Sequence, residues 1–229
     1  SGESSFVETR SRFWRIVFTG AAWRAKEMKI GEIALLPDSR LPNWSEKAGY
    51  FRRPLPLGDA PEVPVAGFKV NEGVYALDSV IDVSDKLSAD GTLTWNVPPG
   101  QWTILRLGHT STGTQIHQKT VNGPSLECDK FSRAAVTKHY NAYVGQLAGD
   151  AGALAGQSFD HVLIDSWEAK TQNWSEQLID RFKEYRGYDP TPYLPVVQGY
   201  IVDSEEISER FLWDFRRTVA DVYADIHWG

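Results

Sequence analysis

Two hydrophobic patterns divide the chain near residue 100. Before it, short apolar runs are broken by proline and glycine. Phe13 to Thr19 (FWRIVFT) and Ile30 to Leu36 (IGEIALL) predict strands, with residues 21–29 as their connection. Eight of the twelve prolines fall between Pro37 and Pro99. The stretch from Arg52 to Gly67 (RRPLPLGDAPEVPVAG) is a loop by composition. Val74 to Val83 alternates weakly, and Thr92 to Val97 (TLTWNV) predicts another strand. The turn between them is Ala89 to Thr92 (ADGT), because Asp-Gly supplies the positive backbone dihedral of a tight hairpin. This half reads as all-β.

After residue 100 the pattern becomes strand, helix, strand, helix. Gln101 to Leu107 (QWTILRL) predicts a strand that stops at Gly108. From Phe131 to Leu147, apolar residues at Val136, Tyr140, Tyr143, Val144 and Leu147 have helical spacing, with Ser132 as N-cap. His161 to Asp165 (HVLID) predicts a short buried strand. Ser175 to Arg186 predicts a helix with Leu178, Ile179, Phe182 and Tyr185 on one face, closed by Gly187. Three prolines keep Tyr188 to Val197 from being helical. Ser204 to Ile226 predicts a long helix with Ile207, Phe211, Phe215, Val219 and Val222 inward, and Glu206 and Arg210 as an i,i+4 pair. Alternating strands and helices imply βα units and a parallel sheet.

Composition narrows the function classes. Of 229 residues, 24 are basic and 30 acidic, a net charge of −6 that lacks the basic face a nucleic-acid binder needs. No apolar run approaches the roughly 20 residues of a membrane span. A lone Cys128 excludes an intramolecular disulfide and a cysteine-based zinc cage. Nine tryptophans suit either a packed core or stacking surfaces for sugars. The spacing of Gly108 and Gly113 fits no P-loop, because no Lys-Ser/Thr follows.

The sharpest chemical candidate is His161 to Trp174 (HVLIDSWEAKTQNW). An apolar run leads straight into Asp165, Trp167 and Glu168, and carboxylates at the end of a parallel strand occupy the usual site of α/β enzymes. Asp165 and Glu168 converge only if the chain leaves the strand near Ser166 or Trp167. One acid could then stay charged while the other is kept neutral. The plainer alternative is a turn-capping Asp165 and a solvated Glu168. Trp167 and Trp174 flank the acids, as sugar-stacking or as core residues. Asn173 could bond a sugar hydroxyl or cap the next helix, the latter being favoured by propensity. His109, just past a strand end, could bind substrate or be structural, and its spacing to His117 fits no short metal motif. Glu127 and Asp129 could cap the helix after them or hold a hard cation such as calcium, capping being the default. The sequons at Asn43 and Asn173 matter only in a eukaryotic secretory route.

Gly100 to Gly113 (GQWTILRLGHTSTG), Leu126 to Val136 (LECDKFSRAAV), Leu163 to Trp174 (LIDSWEAKTQNW), Tyr185 to Val197 (YRGYDPTPYLPVV) and Ser208 to Thr218 (SERFLWDFRRT) together resemble the family 106 glycoside hydrolases, bacterial α-L-rhamnosidases. The resemblance runs in order from about Phe13 to the end. It implies a secreted or periplasmic, calcium-dependent enzyme with a (β/α)8 catalytic barrel and β-sandwich modules. That enzyme would cleave terminal α-L-rhamnosidic bonds of plant-type polysaccharides or glycosides with inversion. By the match to the family's DSWE motif, Glu168 looks like the general acid and Asp165 a supporting or substrate-binding carboxylate. The His109 and Glu127 segments look like neighbouring strand-end loops that line the sugar site, Trp167 and Asn173 are candidate sugar contacts beside the acids, and the calcium ligands are not assignable. Two stretches depart from the expected pattern: Gln115 to Pro124, and Lys170-Thr171, where smaller residues are expected after the acid.

The expected architecture is α/β plus all-β. Residues 1–99 form galactose-binding-like β-sandwich strands and a linker, and residues 100–229 form the first part of an incomplete (β/α)8 barrel, which needs roughly 250 residues. The chain is therefore expected to be an internal fragment, with its general base beyond Gly229. The competing expectation is a non-catalytic carbohydrate-binding or structural β-module with an attached α/β segment.

Overall fold

The computed structural model describes residues 11–17, 33, 35–36, 38–50, 73–115, 126–164, 167 and 170–228. The longest element is helix α5, Glu205–Trp228. Ser204 caps it by accepting the Ile207 N–H at 3.1 Å, and Glu205 and Glu206 place negative charge against the positive end of its dipole. Its inward stripe is Ser208, Phe211, Leu212, Phe215, Thr218, Val222 and Ile226. Ile207, expected inside, is exposed, and Ser208 is fully buried instead. The reason is a bond pair: the Ser208 hydroxyl accepts from Val202 N at 2.8 Å and donates to Val202 O at 3.0 Å. The Glu206–Arg210 pair forms at 3.9 Å but is largely solvated, so it adds little.

Helix α4, Leu178–Arg186, packs its buried Leu178 and Phe182 against α5. It begins three residues later than the spacing predicts, and it ends as expected on Gly187 in the left-handed region (φ 80°). Phe182 and Phe211 lie 5.7 Å apart, and Tyr188 meets Phe182 edge-on at 5.0 Å. The Tyr188 hydroxyl donates to Asp214 at 2.9 Å, and Arg186 pairs with Asp221 and donates to Thr218 at 3.1 Å. These bonds fix the angle between α4 and α5.

The proline-rich segment corrects an expectation. Thr191–Gln198 is a 3-10 helix with Pro195 inside it. Proline's fixed φ fits that helix, and its missing N–H and ring obstruct an α-helix, not a short 3-10 run. It buries Val196 and Val197.

Residues from the first half enter the same core. Leu41 and Ala48 are buried with Leu178, Phe182, Phe211, Leu212 and Phe215. Helix α1, Trp44–Lys47, is tied to α5 by the Lys47–Glu209 ion pair and by Arg216 donating to Lys47 O at 3.0 Å. Gly199 allows this approach, since a Cβ there would sit 2.5 Å from the Trp44 ring. Strand β1, Val74–Tyr75, pairs in parallel with β2, Ile201–Val202, in the register Val74 to Ile201.

Elsewhere the described first half is less regular than its pattern suggests. Residues 11–17 and the described part of Ile30 to Leu36 form no strand; the remainder of both runs lies outside the described residues. Thr92 to Val97 makes one antiparallel bridge, Leu93 to Leu87, around the expected turn, with Ser88 N bonded to Thr92 O at 2.9 Å. Among the described residues Gln101 to Leu107 has no strand partner, and neither does His161 to Ile164, where Leu163 is 87% exposed rather than buried. An apolar run signals a strand that wants covering, but a parallel strand needs hydrogen-bonding neighbours and helical layers, and no described residue supplies them here.

Helix α2, Arg133–Tyr140, continues through a π turn, Asn141–Gly145, into α3, Gln146–Ala151. Ser132 is its N-cap as expected, accepting Ala135 N–H at 3.3 Å. Phe131, Val222 and Ile226 form a second small core where this segment meets α5.

Phe211→Ala is expected to lower unfolding free energy by about 3–5 kcal/mol in a urea melt; a loss below about 1 kcal/mol would mean that the α4–α5 contact is not the main core. Tyr185 gives a pH test. Burial, helped by its bond to Asp225, pushes its hydroxyl up to about 12 from 10.0. That stabilisation is complete below pH 10 and lost as pH rises through about 12. Absorbance titration of Tyr185→Phe should lack one phenol ionising near pH 12.

Candidate active site

Asp165 and Glu168 lie outside the described residues. Their neighbours Trp167 and Lys170 to Trp174 are described, and they show how the acidic segment is anchored. The Trp167 ring lies 6.1 Å from Phe131 and 4.9 Å from Tyr223 of α5. Its indole N–H donates to Lys170 O at 2.5 Å. Trp167 is still 38% exposed, leaving indole surface for a ligand.

Lys130 joins this loop to the Glu127 segment. Its ammonium sits 4.9 Å over the Trp167 ring and 2.8 Å from Glu127 Oε1, and it is almost fully buried. The other carboxylate oxygen, Glu127 Oε2, is buried with no hydrogen-bond partner among the described residues. Such an oxygen is costly to leave unpaired. The two loops share another tie. Asp129 Oδ1 accepts from Phe131 N at 2.9 Å and from the Gln172 amide, while Gln172 Oε1 accepts from Lys130 N at 3.2 Å. Neither Glu127 nor Asp129 caps α2, because Ser132 already does.

The remaining candidates sit to one side. The His109 ring is 6.4 Å from Trp174. Trp174 stacks on Phe215 at 6.3 Å and packs against the main core. Asn173 does not cap a helix, since α4 begins only at Leu178; its amide donates to Ala48 O at 2.8 Å. Its donor is thus used on the backbone, and Oδ1 is left for a ligand. The serines of both sequons, Ser45 and Ser175, are buried.

The structure therefore brings Glu127 and Trp167 together through Lys130, and sets His109 and Asn173 beside Trp174 and α1. Lys130 and Gln172 are the residues that sequence reasoning missed. A lysine just after Asp129 and a glutamine in a polar run look solvated until the loops that bury them are placed. Burial, with Glu127 adding its charge, pushes the Cys128 thiol up, which disfavours a thiolate nucleophile. Among the described residues no three His, Cys, Asp or Glu side chains gather to hold a metal. Calcium needs six to eight oxygens, and Glu127 faces an ammonium instead. The described residues do not fit a calcium site.

Comparison with known proteins decides the family. The family model described as alpha-L-rhamnosidase, glycoside hydrolase family 106, matches residues 15–229. The chain belongs to that family. A solved structure of a rhamnosidase from Novosphingobium sp. PP1Y is similar with a TM-score of 0.65 and 31% identity, over 87% of this chain and 19% of that one. A protein of Formosa agariphila, provisionally named a beta-glucuronidase, is 36% identical over 218 residues, 95% of this chain and 17% of its own length. The family 106 chain thus spans less than one fifth of each of these relatives. In both the fold and the family, its mixed helices and short strands follow a rhamnosidase.

Lys130→Met is expected to cost about 3 kcal/mol in a denaturant melt, because it strands Glu127 as a buried unpaired charge. Adding Glu127→Gln should restore most of that loss. If the double variant is as unstable as the single one, the ion pair is not what joins the two loops.

Proposed function

We propose that this chain is part of an inverting α-L-rhamnosidase, with Glu168 as the general acid. The family match over residues 15–229 carries the reading. In this reaction the C1–O bond of a terminal rhamnoside breaks. Glu168 gives its proton to the leaving oxygen, while a second carboxylate takes a proton from the water that attacks C1 from the opposite face. Inversion requires the two carboxyls to stand roughly 6.5–9.5 Å apart.

The described residues support the acid's half of that reaction. The Trp167 indole N–H donates to Lys170 O. Packing of Trp167 on Phe131 and Tyr223 anchors that residue to α5. Trp167 offers a ring face, and Glu127, His109 and Asn173 are assigned to the margin of the sugar site with Asp165 assigned to substrate. Glu127 and Asp129 are both engaged with neighbours, so neither is assigned as the base. The wider reading includes β-sandwich structure over 1–99, a (β/α)8 barrel beginning at 100, a rhamnose-containing oligosaccharide or glycoside as partner, and a secreted or periplasmic bacterial setting.

One observation favours a second substrate. The 36% identical relative carries a beta-glucuronidase name, so the assay compares two neutral-to-anionic donors. The natural gene product should release 4-nitrophenol from the α-L-rhamnoside and not from the β-D-glucuronide. On a rhamnosyl disaccharide, whose leaving alcohol needs a proton as 4-nitrophenol does not, Glu168→Gln should then lower kcat by about 10²–10⁴-fold while rhamnose still binds. Unchanged turnover in that variant would remove Glu168 from the acid role, and release from the glucuronide alone would replace the substrate.

A further inference from the structure

A groove of about 280 Å³ opens on the chain directly after the acid motif, lined by Gly49, Tyr50, Thr112, Thr114, Lys170, Thr171 and Asn173. Its volume is near the lower limit of about 300 Å³ for small-molecule sites and matches one sugar ring. Covalent geometry alone holds the Cα of Lys170 within about 7 Å of that of Glu168. The groove thus opens close in the chain to the residue assigned to protonate the leaving oxygen. A larger hollow of about 420 Å³ at Ala76, Leu77 and Pro192 touches none of the candidate residues.

The walls of the groove are tied down. Thr171 donates its hydroxyl to Tyr50 O at 3.3 Å, and Asn173 holds Ala48 O. The Tyr50 hydroxyl accepts from Gln198 at 2.6 Å, and its ring stands edge-on to Trp44 at 5.9 Å. Gly49, at φ 76°, keeps the floor open, since a Cβ there would lie 3.0 Å from that of Asn173. Glu127 N donates to Thr114 O at 3.1 Å, which links the far wall to the Glu127 segment.

Lys170 gives the groove its chemical character. It is the one charged residue of the lining among the described residues. Its backbone lies in the left-handed region (φ 67°), unusual for a side chain with a Cβ, and the Trp167 indole holds it there. Its ammonium makes no hydrogen bond or ion pair with the described residues. The other lining groups are hydroxyls and an amide oxygen, which suit sugar hydroxyls. One cation among such groups complements a sugar that bears one negative charge.

We propose that this groove is a leaving-group subsite in which Lys170 selects an anionic sugar, bearing a carboxylate or a sulfate ester, as the residue to which the rhamnose is attached. The proposal rests on the rhamnosidase reading for the position of the bond, but not for the binding of the anion.

The test uses the natural gene product and two disaccharides, rhamnosyl-α-1,4-glucuronate and its carboxyl-reduced form. The ratio of their kcat/KM values should favour the glucuronate. Lys170→Met should lower that ratio about fivefold, as befits a half-exposed charge-assisted bond, mainly through KM. Lys170→Arg should keep it within about twofold. No preference in the wild type, or a ratio unmoved by Lys170→Met, overturns the proposal. If neither disaccharide is cleaved, the rhamnosidase reading fails on its own. Calorimetric titration with methyl glucuronoside, methyl glucoside 6-sulfate and methyl glucoside then still decides. Tighter binding of either anion than of the neutral glycoside, lost in Lys170→Met, supports the subsite and tells carboxylate from sulfate ester. Equal binding of all three overturns it.

Discussion

The burial of one stripe on helix α5 is the contact through which the described parts of this molecule meet. Phe211, Leu212 and Phe215 take up α4, α1 and the 3-10 turn at Thr191–Gln198. Further along, Val222 and Ile226 take up Phe131. Tyr223, at the edge of the same stripe, packs on Trp167. Burying each such large side chain contributes about 1.5–3 kcal/mol, so the stripe outweighs the polar ties around it. Those ties have a different role. The Ser208 bonds to Val202, the Arg186–Asp221 pair and the Lys47–Glu209 pair each fix one neighbour's register along α5. Area drives the packing, and the hydrogen bonds choose which packing.

The Glu127 and Trp167 segments inherit their order from this arrangement at second hand. Trp167 lies on α5 and Phe131, Lys130 lies on Trp167, and Glu127 is held by Lys130. A loop has few backbone bonds of its own, so its geometry is imposed by side chains anchored in rigid elements. Here the anchor is an indole that is hydrophobic on its faces and polar at one edge. The same ring can therefore pack on a helix, accept a cation and bond a backbone carbonyl in its own loop.

How much of this was legible in the sequence follows from the range of each interaction. Helices α4 and α5 carry their own signals: apolar spacing of three and four, a serine N-cap at Ser204, a glycine after Arg186. Local bonds make them, so local pattern reveals them. The strand expectations fared worse, since Gln101 to Leu107 and His161 to Ile164 depend on partners that no local pattern identifies. Val74–Tyr75 pairs with Ile201–Val202 across more than a hundred residues. The proline-rich turn was misread for another reason: proline excludes the α-helix by the same geometry that permits the 3-10 one. At the candidate site, the two acids of the DSWE motif were visible as residue types but lie outside the described residues. The residues that join the Glu127 and Trp167 segments, Lys130 and Gln172, were not visible, because their function exists only when two distant loops close on one another.

Lys170 shows what such closure adds to a family pattern. In sequence it is a departure, a long charged side chain where a smaller residue is expected. In the fold its backbone adopts a conformation that costs of order 1–3 kcal/mol for a residue with a Cβ. A single bond from Trp167, which is itself fixed by α5, holds it there. Strain at an exposed position persists only when surrounding structure over-determines it, and Trp167, packed on α5, supplies that restraint. Any rearrangement that shifts Trp167 on α5 would therefore move the Lys170 backbone with it.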